Sequence, residues 1–126
     1  MKAQELFQDW IEEIDSNHKP GKSIVAFNFG LFEDEEEGGY AMYLLGSKNY
    51  DENDDSWASE EDYAPEENYF PLNSDEFFKL DGEEVQEKVV TIISRFVRSD
   101  AFNNSFLRNA KAITTGFDDG ELVRIR

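Results

Sequence analysis

The sequence predicts one α+β domain over residues 1–126, with an N-terminal helix and a central core helix packed on one face of an antiparallel sheet. Two observations lead to this class. Two segments carry apolar residues at the three- and four-residue spacing of helices that bury one side, and four shorter segments have the composition of strands. These segments follow the order helix, two strands, polar loop, helices, two strands, which is typical of a single α+β domain.

The first predicted element is a helix over residues 3–17. Pro20 and Gly21 follow shortly after it, and they end the helical pattern because proline cannot continue a helix and glycine permits an exit turn. Its apolar positions are Leu6, Phe7, Trp10, Ile11 and Ile14.

The next two elements form a predicted hairpin over residues 23–45. Residues 23–32 read SIVAFNFGLF and are apolar at nearly every position, which is typical of a central strand covered on both faces. An acidic turn that ends in two glycines connects this strand to a second one over residues 40–45. Residues 50–69 then form a predicted acidic loop without periodicity, and loops of this length in compact domains are usually functional or disordered.

The second half of the chain begins with a predicted short turn over residues 75–78. A core helix opens with a capping box formed by Asp81 and Glu84, and its apolar spacing continues to Ser99. A shorter helix over residues 100–108 and a closing hairpin over residues 111–126 complete the predicted domain.

The charge of the chain is concentrated in one region. The net charge is −17 at pH 7, and residues 33–67 carry 14 acidic side chains against one basic side chain, Lys48. Such a charge excludes a generic nucleic-acid binder and favours a basic protein partner. The chain should still fold, since Leu, Ile, Val and Phe make up 32 of 126 residues, above the roughly 20% below which strongly charged chains stay unfolded.

The sequence also predicts where the protein acts. No stretch approaches the ~18 consecutive apolar residues of a membrane span, and the N-terminus lacks the apolar run of a signal peptide. The chain contains no cysteine, which fits a reducing compartment. We therefore expect a cytoplasmic protein with no membrane partner.

Catalytic chemistry is not indicated by the sequence. The single histidine, His18, follows the first helix, where a capping or surface role is the simpler interpretation. Nucleophile elbows, phosphate-binding glycine loops and zinc-binding helical motifs are all missing from the sequence. The prediction is a non-enzymatic protein without a cofactor.

A recognition surface is the function that the acidic region predicts best. Clustered carboxylates accelerate the encounter with a basic partner, and exposed aromatic side chains anchor interfaces. For Trp57, packing in the core is an equally open alternative, and the acidic loop as a whole has the alternative role of a solvated, solubilising loop. The residues predicted to contact a partner are Glu35, Glu36, Asp51, Asp54, Asp55, Trp57, Glu60, Glu61, Asp62 and Tyr63.

Two other functions stay open on the sequence. A calcium site would use Asp51, Asn53, Asp55 and Asp62, which match ligand positions of an EF-hand loop, but Ser56 stands where that loop needs glycine. The other is a cytoplasmic domain with a small-molecule role. The oligomeric state is open too, because the arginines near the C-terminus, at positions 124 and 126, are available to pair with the acidic loop within the fold or across a dimer.

The segments SIVAFNFGLFEDEEEGGYAMYLLGS and NYDENDDSWASEEDY resemble small acidic immunity proteins encoded beside bacterial polymorphic toxins, including those of contact-dependent growth inhibition systems. The resemblance covers about residues 23–65, together with chain size, charge and the missing cysteines. It implies a cytoplasmic protein that binds the toxic domain of a delivered effector, often a nuclease, and blocks its active site. Carboxylates would then compete for the lysines and arginines with which a nuclease gathers phosphates.

Overall fold

A five-stranded sheet with strand order β3-β2-β1-β4-β5 organises the computed structural model, which describes residues 2–36, 38–65, 68–118 and 120–126. The strands are β1 (Ala26–Glu33), β2 (Tyr40–Ser47), β3 (Tyr69–Leu72), β4 (Ala112–Phe117) and β5 (Val123–Arg124). The helices are α1 (Ala3–Asn17), α2 (Gly82–Val97) and the single turn α3 (Asp100–Asn103), and short 3-10 turns cover Asp55–Ser59, Asp75–Phe77 and Phe106–Asn109. The predicted α+β class, with one domain, is confirmed.

The sheet is mixed, so the prediction of a wholly antiparallel sheet is wrong at one pair. Strand β1 pairs with β2 in the antiparallel sense but with β4 in the parallel sense, with Ala26 opposite Ala112. Parallel neighbours require a long crossover connection, and the chain between β2 and β4 supplies one that includes α2. The predicted position of β1 at the centre of the sheet is confirmed.

Strand β3 is an element that the sequence prediction did not contain. Its four residues lie at the sheet edge, where Tyr69 pairs with Tyr43 and Pro71 with Ala41. Proline is tolerated in strands mainly at such edges, because it cannot donate a ladder hydrogen bond. The predicted irregular loop therefore ends in a short edge strand.

The core lies between the helices and one face of the sheet. Three alternate residues of β1, namely Phe27, Phe29 and Leu31, are buried in this core. Phe7 of α1 is central, since its ring lies 5.5–6.1 Å from the rings of four other core aromatics. Those four are Trp10, Phe29, Phe70 and Phe96.

The start of α2 has the capping box that the sequence predicts. The Asp81 carboxylate accepts a hydrogen bond of 2.9 Å from the Glu84 backbone N–H, and the Asp81 backbone N–H donates one of 3.2 Å to the Glu84 carboxylate.

Among the described residues, none of the helices combines the length and apolar character that a membrane crossing needs.

Candidate functional site

Residues 50–63, here called the acidic segment, place Trp57 on the sheet face opposite the helices. Trp57 is at their centre and is only 3% exposed, packed against Ala26 and Ala112. These two small side chains are register partners on β1 and β4, so together they leave a depression that an indole ring can fill. The ring of Tyr50 packs edge-on against Trp57 at 5.3 Å. Trp57 is thus a core residue, which is the alternative that the sequence left open beside the role of a partner anchor.

Tyr63 is also turned into the fold. Its ring is half-buried and meets the ring of Phe27 edge-on at 6.4 Å, and its hydroxyl donates a hydrogen bond to the backbone carbonyl of His18. Burial, with a smaller contribution from the negative charge of Asp15, raises the pKa of Tyr63 to about 12. The side chain joins the acidic segment to the end of α1, and its half-buried ring contributes to the packing of the fold.

The acidic segment is held in shape by its own polar side chains. The Asp51 carboxylate accepts a 2.9 Å hydrogen bond from the backbone N–H of Asn53, and Asp54 accepts one of 3.0 Å from the N–H of Ser56. Both are turns of the Asx type, which aspartate favours. The hydrogen bond from Ser56 lowers the pKa of Asp54 below its ordinary value, because it stabilises the ionised form.

Glu60 and Asp62 connect the acidic segment to the end of β2. Glu60 accepts hydrogen bonds from the Ser47 hydroxyl at 3.1 Å and from the Asn49 side-chain amide at 3.0 Å. Asp62 accepts one of 2.8 Å from the backbone N–H of Lys48. These two carboxylates therefore position the segment in addition to carrying charge.

The eight carboxylates predicted to contact a partner belong to exposed residues. They are Glu35, Glu36, Asp51, Asp54, Asp55, Glu60, Glu61 and Asp62. In the described part of the chain, none of them forms an ion pair with a lysine or arginine within 4.0 Å. These exposed carboxylates therefore have no ion pair among the described residues, although Arg124 lines the same cavity as Asp51 and Asp55.

The carboxylates of the calcium alternative are spread along the acidic segment. Across residues 2–36, 38–65, 68–118 and 120–126, no group of three His, Cys, Asp or Glu side chains lies close enough together to hold a metal ion. Asp51 and Asp55 instead line a cavity of about 330 Å³ together with Arg124.

The two arginines near the C-terminus find partners within the fold that are not carboxylates. The guanidinium of Arg124 lies 5.2 Å from the centre of the Tyr50 ring, and it donates to the backbone carbonyls of Lys111 and Arg126. The guanidinium of Arg126 lies 4.8 Å from the centre of the Phe102 ring. Both arrangements use the attraction between a cation and an aromatic face.

The rest of the outer sheet face is not covered by the acidic segment. We call it the open face, and it consists of Phe32, Tyr43, Leu45, Tyr69 and Pro71. Register explains why these side chains share one side, since Tyr43 is opposite Gly30 and Tyr69, and Ala41 is opposite Phe32 and Pro71. Tyr69 is 68% exposed, which is unusual for a tyrosine in a strand.

Tyr43 forms the floor of the open face. Its ring lies over Gly30, which has no side chain to obstruct it, and its hydroxyl donates a hydrogen bond to the carboxylate of Asp118. Burial and this hydrogen bond raise the pKa of Tyr43 well above its ordinary value, so the hydroxyl keeps its proton and remains a donor.

Acidic residues from distant parts of the sequence border the open face. A groove of about 540 Å³ runs between Tyr69 and the β1–β2 turn, which contributes Glu35 and Glu36. A second groove, of about 320 Å³, contains Glu61 and Asp118. Both grooves include Phe32 and Tyr69, so Glu61 of the acidic segment and the two glutamates of the turn border the same pair of rings.

Sequence reasoning missed the aromatic residues of this surface. Phe32 and Tyr43 occur inside predicted strands, and only the alternation of side chains along a strand indicates that they share a face. Tyr69 lies at the end of the predicted irregular loop, and its pairing with Tyr43 depends on a strand that the sequence does not predict. Comparisons of the chain with protein-family models, curated proteins and solved structures returned no match.

Proposed function

We propose that this chain is an inhibitory binding protein for a basic protein partner, and that the partner is the nuclease domain of a toxin whose gene lies beside its own. In this proposal it acts in the cytoplasm as an immunity protein. The observation that carries the proposal is the set of eight exposed carboxylates, none of which is paired with a lysine or arginine of the described residues.

The physical basis is charge mimicry. A nuclease binds the phosphate backbone of its substrate with lysine and arginine side chains. Carboxylates form charge-assisted hydrogen bonds with the same groups. The acidic segment and the β1–β2 turn would raise the association rate by steering a basic surface toward the sheet. Occupation of the phosphate-binding groups would then block the substrate.

Local hydrogen bonds divide the carboxylates into two kinds. Those of Asp51, Asp54, Glu60 and Asp62 accept hydrogen bonds that shape the acidic segment. Those of Glu35, Glu36, Asp55 and Glu61 accept none from described residues. The second group can be neutralised with the least effect on the fold, so it provides the sharper test.

The test is binding to the purified toxin domain encoded beside this gene, measured by calorimetry at low and high salt. A first variant replaces Glu35, Glu36, Asp55 and Glu61 by their amides. A matched control removes the same charge from exposed carboxylates of the helices, at Asp9, Glu12, Glu13 and Glu87.

We expect the first variant to bind the toxin domain at least tenfold more weakly than the wild type, with a shallower salt dependence, and the control to resemble the wild type. Equal affinity and equal salt dependence for the first variant and the wild type would contradict the proposal. So would the lack of any interaction between the wild-type chain and the toxin domain.

A further inference from the structure

The open face contains a continuous row of aromatic rings. The ring of Phe32 lies 5.7 Å from that of Tyr69, at an interplanar angle of 72°, and 6.1 Å from that of Tyr43. The two grooves on either side of Tyr69 both include Phe32. The row therefore offers ring faces and edges to an occupant of either groove.

The charged side chains that line these grooves in the described part of the chain are all acidic. The larger groove includes Glu33 and Glu35, and the smaller one includes Glu61 and Asp118, while no lysine or arginine of the described residues lines either of them. A second copy of this chain would bring the same negative border and a net charge of −17, so repulsion argues against a homodimer at this face. Charge complementarity instead selects a cationic occupant.

The combination of rings and carboxylates favours arginine over lysine side chains. A guanidinium is planar and weakly hydrated, so it stacks on a ring while it donates two hydrogen bonds to a carboxylate. An ammonium group is a compact and strongly hydrated charge that gains less from a ring. The chain itself contains a guanidinium over a ring, since Arg124 lies over Tyr50, and there its hydrogen bonds go to backbone carbonyls.

We propose that the open face binds arginine side chains of the basic partner, stacked on Tyr69 and Phe32 and paired with the bordering carboxylates. This inference deepens the proposed function and rests on it for the identity of the partner. The open face would then supply the aromatic anchor that Trp57 and Tyr63, both turned into the fold, do not supply.

The experiment uses two synthetic peptides as probes, hexa-arginine and hexa-lysine, which have equal length and equal charge. Their affinities for the full chain are measured by calorimetry at low salt, for the wild type, for Tyr69→Ser and for Phe78→Ser. Phe78 is the matched control because it is a 72% exposed aromatic residue outside the open face. Both substitutions lie at exposed positions, so the variants should fold.

We expect the wild type to bind hexa-arginine about threefold more tightly than hexa-lysine, the size of one exposed cation–π contact. The ratio of the two affinities should fall toward one in Tyr69→Ser and stay near its wild-type value in Phe78→Ser. Equal affinities in the wild type, or a preference that survives Tyr69→Ser unchanged, would overturn the inference. Because neither peptide is the toxin domain, the result is independent of whether that domain binds.

Discussion

The ring of Tyr43 lies across the backbone of Gly30, so close that a β-carbon on residue 30 would be 2.1 Å from the ring. Gly30 is in the central strand, and Tyr43 is its register partner on β2. The missing side chain at residue 30 lets the tyrosine lie flat and reach the carboxylate of Asp118 with its hydroxyl. One glycine therefore determines the floor of the open face.

Replacement of Gly30 by alanine should destabilise the fold by about 1–3 kcal/mol, because the new methyl group overlaps the Tyr43 ring and must displace it. Gly21→Ala is the control, since nothing lies within 4 Å of a β-carbon there. Urea unfolding measures both variants. In the double variant Gly30→Ala, Tyr43→Ala the penalty of the first change should disappear, and additive effects of the two changes would contradict the overlap.

Replacement of Trp57 by alanine should cost about 3–5 kcal/mol of unfolding free energy, the usual loss for a buried large aromatic residue. Phe78→Ala, at a 72% exposed position, should change stability by no more than about 0.5 kcal/mol. Urea unfolding of both variants measures the difference. If Trp57→Ala left stability unchanged, Trp57 would not be part of the core.

Replacement of Asp81 by alanine should destabilise the chain by about 1 kcal/mol, since it removes one half of the capping box at the start of α2. Glu87→Gln, at an exposed position in the same helix, serves as the control. Thermal and urea unfolding should agree on the order of the two variants. A loss for Glu87→Gln as large as for Asp81→Ala would show that charge rather than capping is responsible.

The stability of the protein should fall between pH 10 and pH 12 partly because of Tyr63. Its pKa is about 12 in the fold, against 10.0 for an unperturbed tyrosine, so the folded chain keeps a proton there that the unfolded chain loses. The contribution of Tyr63 to the free energy of unfolding is complete below pH 10 and is lost as the pH rises through 12. The stability difference between the wild type and Tyr63→Phe should therefore shrink from pH 9 to pH 11.5, and a constant difference would rule out this titration.

Local patterns were enough to predict most of the secondary structure. The apolar spacing from Phe7 to Ile14 predicts α1 because helices repeat every 3.6 residues, and the pair Asp81 and Glu84 predicts the start of α2 because capping is a local interaction. The central position of β1 follows from its continuous apolar run. Each of these signals is contained within a few adjacent residues.

Features that depend on contacts between distant residues could not be predicted. The parallel pairing of β1 with β4 joins segments about 86 residues apart, such as Asn28 and Thr114, whose side chains share a hydrogen bond of 2.9 Å. The burial of Trp57 depends on two alanines on those neighbouring strands. The open face is invisible in the sequence for the same reason, because register alone brings Tyr43 and Tyr69 together.

A basic partner that docks on the open face should change the environment of that face and of the carboxylates around it. NMR shifts of backbone amides and indoles, recorded as the neighbouring toxin domain is added to labelled protein, map this change. We predict that the largest changes occur at Phe32, Glu35, Glu61 and Tyr69, while the Trp57 indole and the amides of α1 change little. A footprint confined to the outer surfaces of α1 and α2, with the open face unaffected, would contradict this docking.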